Sequence, residues 1–243
     1  MPTFTDFSNL LPDPVNKINA AGALDSSGST GPGFAKVKFS SSHSTNISRT
    51  ISGRGVGTTQ GSHFWEFSIN YNPMTRDEFE PVSTFLETRR GRLYPFYVIL
   101  PQHAAPRDSA FATWCAANLN GVTVSELHTA GSSSILIDGI ITGNPSPGDF
   151  ITLSDSSDIN HTKAYKIVRV ETSTTYKAGT VAPTSTQRRI HISPPLVRSA
   201  SSDTVVNFID PKFRVVQKGD TMEYDLDTDN LYQFSLSLEE IQP

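Results

Sequence analysis

The 243-residue chain is 36% hydrophobic and 18% charged, enough apolar material to bury one large core or two small ones, which argues against disorder as its overall state. Twenty Lys and Arg against 24 Asp and Glu leave a formal net charge of −4, so no excess of positive charge drives counterion release, and general DNA or RNA binding is disfavoured. A single cysteine, Cys115, excludes an internal disulfide and a multi-thiolate zinc site, and no run of about eighteen apolar residues exists to span a membrane as a helix.

Met1 to Leu10 carries Asp6 and no basic cluster ahead of its apolar residues, so it lacks a secretory pattern, and the protein is expected to stay where it is made. Residues 11–33 hold Pro12, Pro14, Gly22, Gly28, Gly31, Pro32 and Gly33 among serines and alanines. Such a composition buries too little apolar area to offset backbone ordering, and predicts a loop or arm, either ordered by a neighbouring subunit or mobile.

From His63 to Tyr71 the alternation puts His63, Trp65, Phe67, Ile69 and Tyr71 on one face and Phe64, Glu66, Ser68 and Asn70 on the other, a strand with one buried side. Thr75 with Glu78 three residues on makes a capping box, and Met74 is placed to staple onto Phe79. Phe79, Val82, Phe85 and Leu86 follow on one helical face, Arg89 and Arg90 suit the negative end of the dipole, and Gly91 stands where a left-handed cap is wanted. Pro81 predicts a late start or a bend. Tyr94 to Leu100 reads as a further strand, completing a strand, helix, strand unit, while Pro101 to Ala117 shows no periodicity and reads as a connection.

Short β-branched runs follow at 134–141, 148–153, 163–171, 188–193 and 204–208, separated by turn residues at hairpin-like intervals. A small barrel or sandwich is expected, since closure removes exposed edges. Leu231 to Ile241 alternates again, with Tyr232, Phe234, Leu236 and Leu238 on one face, and places the end of the chain inside the fold. The fold class is therefore mainly β, a β-rich α+β arrangement. Residues 1–105 hold the arm and the strand, helix, strand core; residues 106–243 hold the β-rich module, with the last strand, 231–241, a candidate to return to the N-terminal core.

No constellation adds up to catalysis. His43, His63, His103, His128, His161 and His191 are scattered singly, without metal-ligand spacing. Ser52 and Ser62 lie near glycines, but no nucleophile elbow occurs. Cys115 follows Trp114 without a cationic pattern to activate it, which favours an inert thiol. Gly53-Arg-Gly-Val-Gly57 lacks the Lys-Ser/Thr of a phosphate loop and reads as a flexible turn. Asp225, Asp227 and Asp229 begin like a calcium loop, but Leu236 stands at position twelve, so a solvated acidic turn is favoured. Arg89, Arg90 and Arg92 suit a phosphate, a partner's carboxylates or the helix dipole alone. Glu66, Glu78 and Glu80 have nothing to pair them around a substrate. No catalytic, cofactor-binding or metal-binding residue is assigned, no cofactor is implied, and no enzyme activity is expected.

Phe64-Trp-Glu-Phe-Ser68, Pro73-Met-Thr75, Phe79 with Phe85-Leu86, Arg89-Arg-Gly-Arg92 and Phe96 together resemble tail-tip proteins of long-tailed bacteriophages, the distal tail or baseplate hub class. Pro147-Gly-Asp-Phe-Ile151, Tyr165-Lys-Ile-Val168 and Ile192-Ser-Pro-Pro-Leu-Val-Arg198 are similar to a small β-module of such proteins. Residues 1–35 have no counterpart. The resemblance implies a non-enzymatic virion protein, made in the cytoplasm of a bacterial host, that forms a symmetric and usually sixfold ring of identical subunits joining the tail tube to hub, fibres or spike. Exposed edges and loops suit such a ring, and a mildly acidic subunit suits a lumen that passes DNA without specific nucleic-acid binding. The rivals are another tail component, and a carbohydrate-binding β-module adhering to a cell surface, for which Trp65, Trp114 or tyrosines would form a stacking platform. Trp65 lies on the more hydrophobic strand face, which favours core packing.

Overall fold

The computed structural model describes residues 8–242 except 20, 26, 28 and 29, and for 59–62 the backbone alone. Residues 1–7 of the Met1–Leu10 stretch read for a secretory pattern lie outside the described residues, as does Gly28 of the arm. The described chain is mainly β, with two α-helices.

Part of the region expected to be a loop or arm is tied down. β1 (Lys17–Ile18) and β2 (Leu24–Asp25) pair antiparallel within it, and Leu10 to Asp13 are buried. The anchors are a few buried side chains, Leu10, Leu11 and Ile18, together with hydrogen bonds, which the overall composition of the segment does not reveal. Leu11 N–H donates to the Tyr97 carbonyl at 2.8 Å, and the Tyr71 hydroxyl to the Pro12 carbonyl at 2.9 Å.

β3 (Phe34–Arg49) and β4 (Gly55–Tyr71) form a long antiparallel hairpin. The turn between them holds Gly53 at φ 79° and closes through Thr50 N–H to the Arg54 carbonyl at 3.0 Å. α1 (Arg76–Arg89) starts at once after its cap. Glu78 Oε2 accepts from the Thr75 N–H and hydroxyl, both at 2.9 Å. No late start occurs: Pro81 lies in the second turn and the helix runs through it. The left-handed cap falls on Arg90 at φ 50°, with Gly91 continuing at φ 62°. A Cβ on Gly91 would meet Asp220 Oδ1 at 2.7 Å, so glycine is required there for space as well as conformation.

β5 (Phe96–Ile99) is shorter than the sequence suggested, because Tyr94 and Pro95 complete the turn. Pro101 to Ala117, read as a connection, contains a 3₁₀ turn (Pro101–His103) and the helix α2 (Ser109–Ala117). Asp108 Oδ1 caps α2, accepting from Ala110 and Phe111 N–H at 2.9 and 3.1 Å. There follow β6 (Thr123–Val124), β7 (Ser134–Asp138), β8 (Phe150–Ser154), β9 (Ala164–Glu171), β10 (Arg188–Ser193), β11 (Val205–Asn207), β12 (Lys212–Gln217), β13 (Tyr224–Leu226) and β14 (Tyr232–Glu240).

The chain divides into two compact units, residues 1–98 with 214–241, and 99–213 with 242–243. Residues 214–241, which include the 231–241 strand read as a candidate to return to the N-terminal core, group with the first unit. In the first unit β14 pairs with β4 from Ser235↔Asn70 to Glu239↔Glu66, and the sheet order is β3-β4-β14-β12-β5, with β13 on β14. The inward face of β4, Trp65, Phe67, Ile69 and Tyr71, is buried, as are Phe79, Val82, Phe85 and Leu86 of α1. Phe79 stacks on Tyr232 at 4.5 Å, and Phe85 meets Phe96 edge-on at 5.3 Å, so the helix covers the sheet through aromatic contacts. Each such ring contributes about 1.5 to 3 kcal/mol of burial.

The second unit is a closed barrel, β10-β7-β6-β11-β8-β9. Of the two architectures left open by the sequence, the barrel is the one formed. Its core joins Ile135, Ile137, Ile151, Tyr165, Ile167 and Ile190 from the strands with Phe111 and Cys115 from α2.

Candidate functional site

Among the described residues no cluster of three or more His, Cys, Asp or Glu side chains converges as a metal site. The carboxylates weighed as a hydrolytic pair are separately engaged. Glu66 bonds Lys218 at 2.7 Å, Glu78 caps α1, and Glu80 pairs with Arg76 at 3.2 Å. Cys115 is buried, and burial, with Asp149 adding to it, pushes its thiol up to about 12. Trp65 is buried and stacks on Phe39 at 4.9 Å, while Trp114 packs against the barrel core. The side chain of Ser62 lies outside the described residues.

Arg89 is the last residue of α1, and Arg90 is its left-handed cap, with its guanidinium 5.9 Å from the Tyr94 ring centre. Arg89 donates to Asn9 Oδ1 at 2.9 Å and to the Ser8 carbonyl, and its guanidinium lies 4.7 Å from the Phe85 ring centre. Arg92 N–H donates to Asp220 Oδ1. The acidic turn is an Asx turn, in which Asp227 Oδ1 accepts from Asp229 and Leu231 N–H at 3.0 and 2.9 Å. A groove of about 470 Å³ runs along α1, lined by Ile18, Asp77, Pro81, Phe85 and Arg89 among others.

The histidines are not all isolated. Strand register places His43 opposite His63, and both Nε2 atoms converge on Ser41 Oγ, at 3.2 and 3.0 Å. One hydroxyl both donates and accepts, so it satisfies one ring as donor and the other as acceptor. His128 Nε2 accepts from Leu136 N–H at 2.9 Å, and burial lowers its pKa. His161 meets the Tyr165 hydroxyl at 2.9 Å and is likewise lowered by burial.

Two buried carboxylates organise the barrel loops. Asp155 accepts from Ser157 N–H and hydroxyl through Oδ1, and from Ser201 N–H, Ser201 hydroxyl and Thr204 hydroxyl through Oδ2. Those donors, Ser157 foremost, outweigh burial and hold the carboxyl well below its ordinary value. Glu171 faces Arg169 and His191, each at 3.1 Å, and burial is outweighed by those partners so that its pKa is also lowered. Both are structural clamps: every neighbour binds the ionised form.

The most unusual surface is the β3–β4 hairpin. β14 stops pairing with β4 at Glu66, so from there to the turn the hairpin is a two-stranded ribbon among the described residues. Ile47, Ile51 and Val56 are exposed on it. Residues 34–65 contain Lys36, Lys38, Arg49 and Arg54 and no Asp or Glu; Lys36 and Lys38 sit opposite the part of β4 that β14 also pairs, and the ribbon beyond carries Arg49 and Arg54, so a net charge of −4 conceals a basic projection. That run was visible in the sequence and was hidden by summing charge over the chain. Among the described strands β3, sixteen residues long, is the end strand of its sheet.

No protein-family model matches this chain, and a search of curated proteins finds no match either.

Proposed function

We propose that this protein is a non-enzymatic structural component of a bacteriophage tail tip or baseplate, forming a symmetric ring of identical subunits that joins the tail tube to hub, fibres or spike. The observation that carries the reading is the β3–β4 ribbon, two-stranded among the described residues, with its exposed Ile47 and Ile51 and with β3 at the end of its sheet. A two-stranded ribbon without a third strand is marginal in water, and an uncovered edge invites pairing, so such an element suits a subunit that neighbours complete. The separately engaged carboxylates and the inert Cys115 fit a protein selected for shape. The resemblance of residues 64–96 to tail-tip proteins supplies the particle and the ring.

The test is electron microscopy of the purified full-length chain, with peptidoglycan-turnover and glycan-binding assays run beside it. Closed rings of one size without turnover are expected. A stable monomer that binds a glycan at micromolar strength would replace this reading with the carbohydrate-binding one.

A further inference from the structure

The basic ribbon has a counterpart in the same unit. Residues 219–230, which lead into and out of β13, contain Asp220, Glu223, Asp225, Asp227 and Asp229 and no Lys or Arg, and none follows before the end of the sequence. Tyr224 and Leu226 of β13 are both about half exposed. Beside them Met222, Glu223, Phe234 and Leu236 line an open groove of about 310 Å³. The two surfaces thus match in charge and each carries exposed apolar side chains.

Register separates them. Phe34 pairs with Tyr71 and Arg49 with Gly55, so the ribbon tip lies at the Gly55 end of β4. β14 pairs Ser235 with Asn70, and Tyr232 bridges to Met74, so the acidic turn lies at the Tyr71 end. The sixteen residue steps between those ends span about 50 Å at roughly 3.3 Å per residue. The tip therefore does not reach the acidic turn of its own chain, and complementary patches at opposite ends of one strand, when they meet between copies, make a heterologous contact, which closes into a ring where the rotation allows.

We infer that the β3–β4 ribbon of one subunit docks on the β13–β14 face of the next, with Arg49 and Arg54 facing Glu223 and Asp225, and Ile47, Ile51 and Val56 packed against Tyr224 and Leu226. The occupant is a second copy of this chain. Free nucleic acid would satisfy the basic ribbon alone and leave the acidic face and both sets of exposed apolar side chains unexplained. The contact rests on the ring reading and specifies which surfaces meet. The charges steer and register the encounter, and the apolar groups supply the buried area.

Sedimentation velocity on the full chain tests it. Arg49→Glu with Arg54→Glu, or Glu223→Lys with Asp225→Lys, is expected to weaken self-association roughly tenfold or more by setting like charges together. All four substitutions in one chain are expected to restore it. All these positions are exposed, and circular dichroism of each variant confirms that the fold is kept. A tenfold rise in sodium chloride is expected to weaken association of the unaltered chain, which needs no variant to fold. Assembly that survives both reversals, or is not regained by the fourfold variant, overturns the contact while leaving the ring reading standing. An unaltered chain that stays monomeric overturns both. A DNA duplex that binds the unaltered chain and is lost on Arg49→Glu with Arg54→Glu, with self-association unchanged, assigns the ribbon to nucleic acid instead.

Discussion

Phe85→Ala tests the packing of α1 on the sheet. Phe85 is 5% exposed, its ring meets Phe96 edge-on at 5.3 Å, and Arg89 covers it at 4.7 Å. Truncating a buried Phe to Ala costs about 3 to 5 kcal/mol in lost transfer energy and cavity formation, a range that already contains the aromatic contact. Phe85 also borders the 470 Å³ groove along α1, so water has access to the vacated space and the lower part of that range applies, about 3 to 4 kcal/mol. Urea unfolding followed by Trp65 fluorescence, in a Trp114→Phe background that silences the barrel, reads the first unit alone. With a slope of about 2 kcal/mol per molar, the midpoint is expected to fall by roughly 1.5 to 2 M. A fall below roughly 0.5 M would show that this face of α1 is not buried against the sheet, and the reasoning would fail.

Further predictions concern the barrel. Asp155 has a folded-state pKa depressed below its unfolded value, so its stabilisation is complete above about pH 4 and is lost as pH falls through the folded value. Asp155→Asn should cost about 1 to 3 kcal/mol at pH 7 and flatten the acid limb of the barrel's stability profile; thermal melts from pH 2 to 7 check both. Cys115, with its thiol near 12 and buried, should resist iodoacetamide at pH 8 in the folded protein and react fully in guanidinium, as mass spectrometry would record. Gly139 has φ 99°, and a Cβ there would lie 2.1 Å from the Gly121 carbonyl oxygen. Gly139→Ala should therefore destabilise the barrel by more than about 2 kcal/mol, seen as a lowered melting temperature.

The parts of the fold legible in the sequence are those whose side chains sort by face. His63 to Tyr71 and Leu231 to Ile241 alternate because one side of each strand is buried, and α1 announces itself through Thr75, Glu78 and the Phe79, Val82, Phe85, Leu86 face. β3 was not visible: Ser41 to Arg49 is polar apart from Ile47 because its outer half is largely exposed, and only pairing with β4 makes it a strand. α2 was missed because Ala-Phe-Ala-Thr-Trp-Cys-Ala-Ala has little polar contrast, although Asp108 at its cap was a usable signal. The meeting of Ser41, His43 and His63, and the clamps around Asp155 and Glu171, depend on strand register and loop closure over long sequence separations. The basic ribbon needed no structure to be noticed, only charge counted segment by segment.

The central claim is that this chain is built to be held by copies of itself. Native mass spectrometry of the full-length protein across a range of concentrations tests it most directly. A single closed multiple of the 26.5 kDa subunit, constant over a wide concentration range, is the expected result. A 26.5 kDa species alone at every concentration, or an open ladder of sizes that never converges, would contradict it.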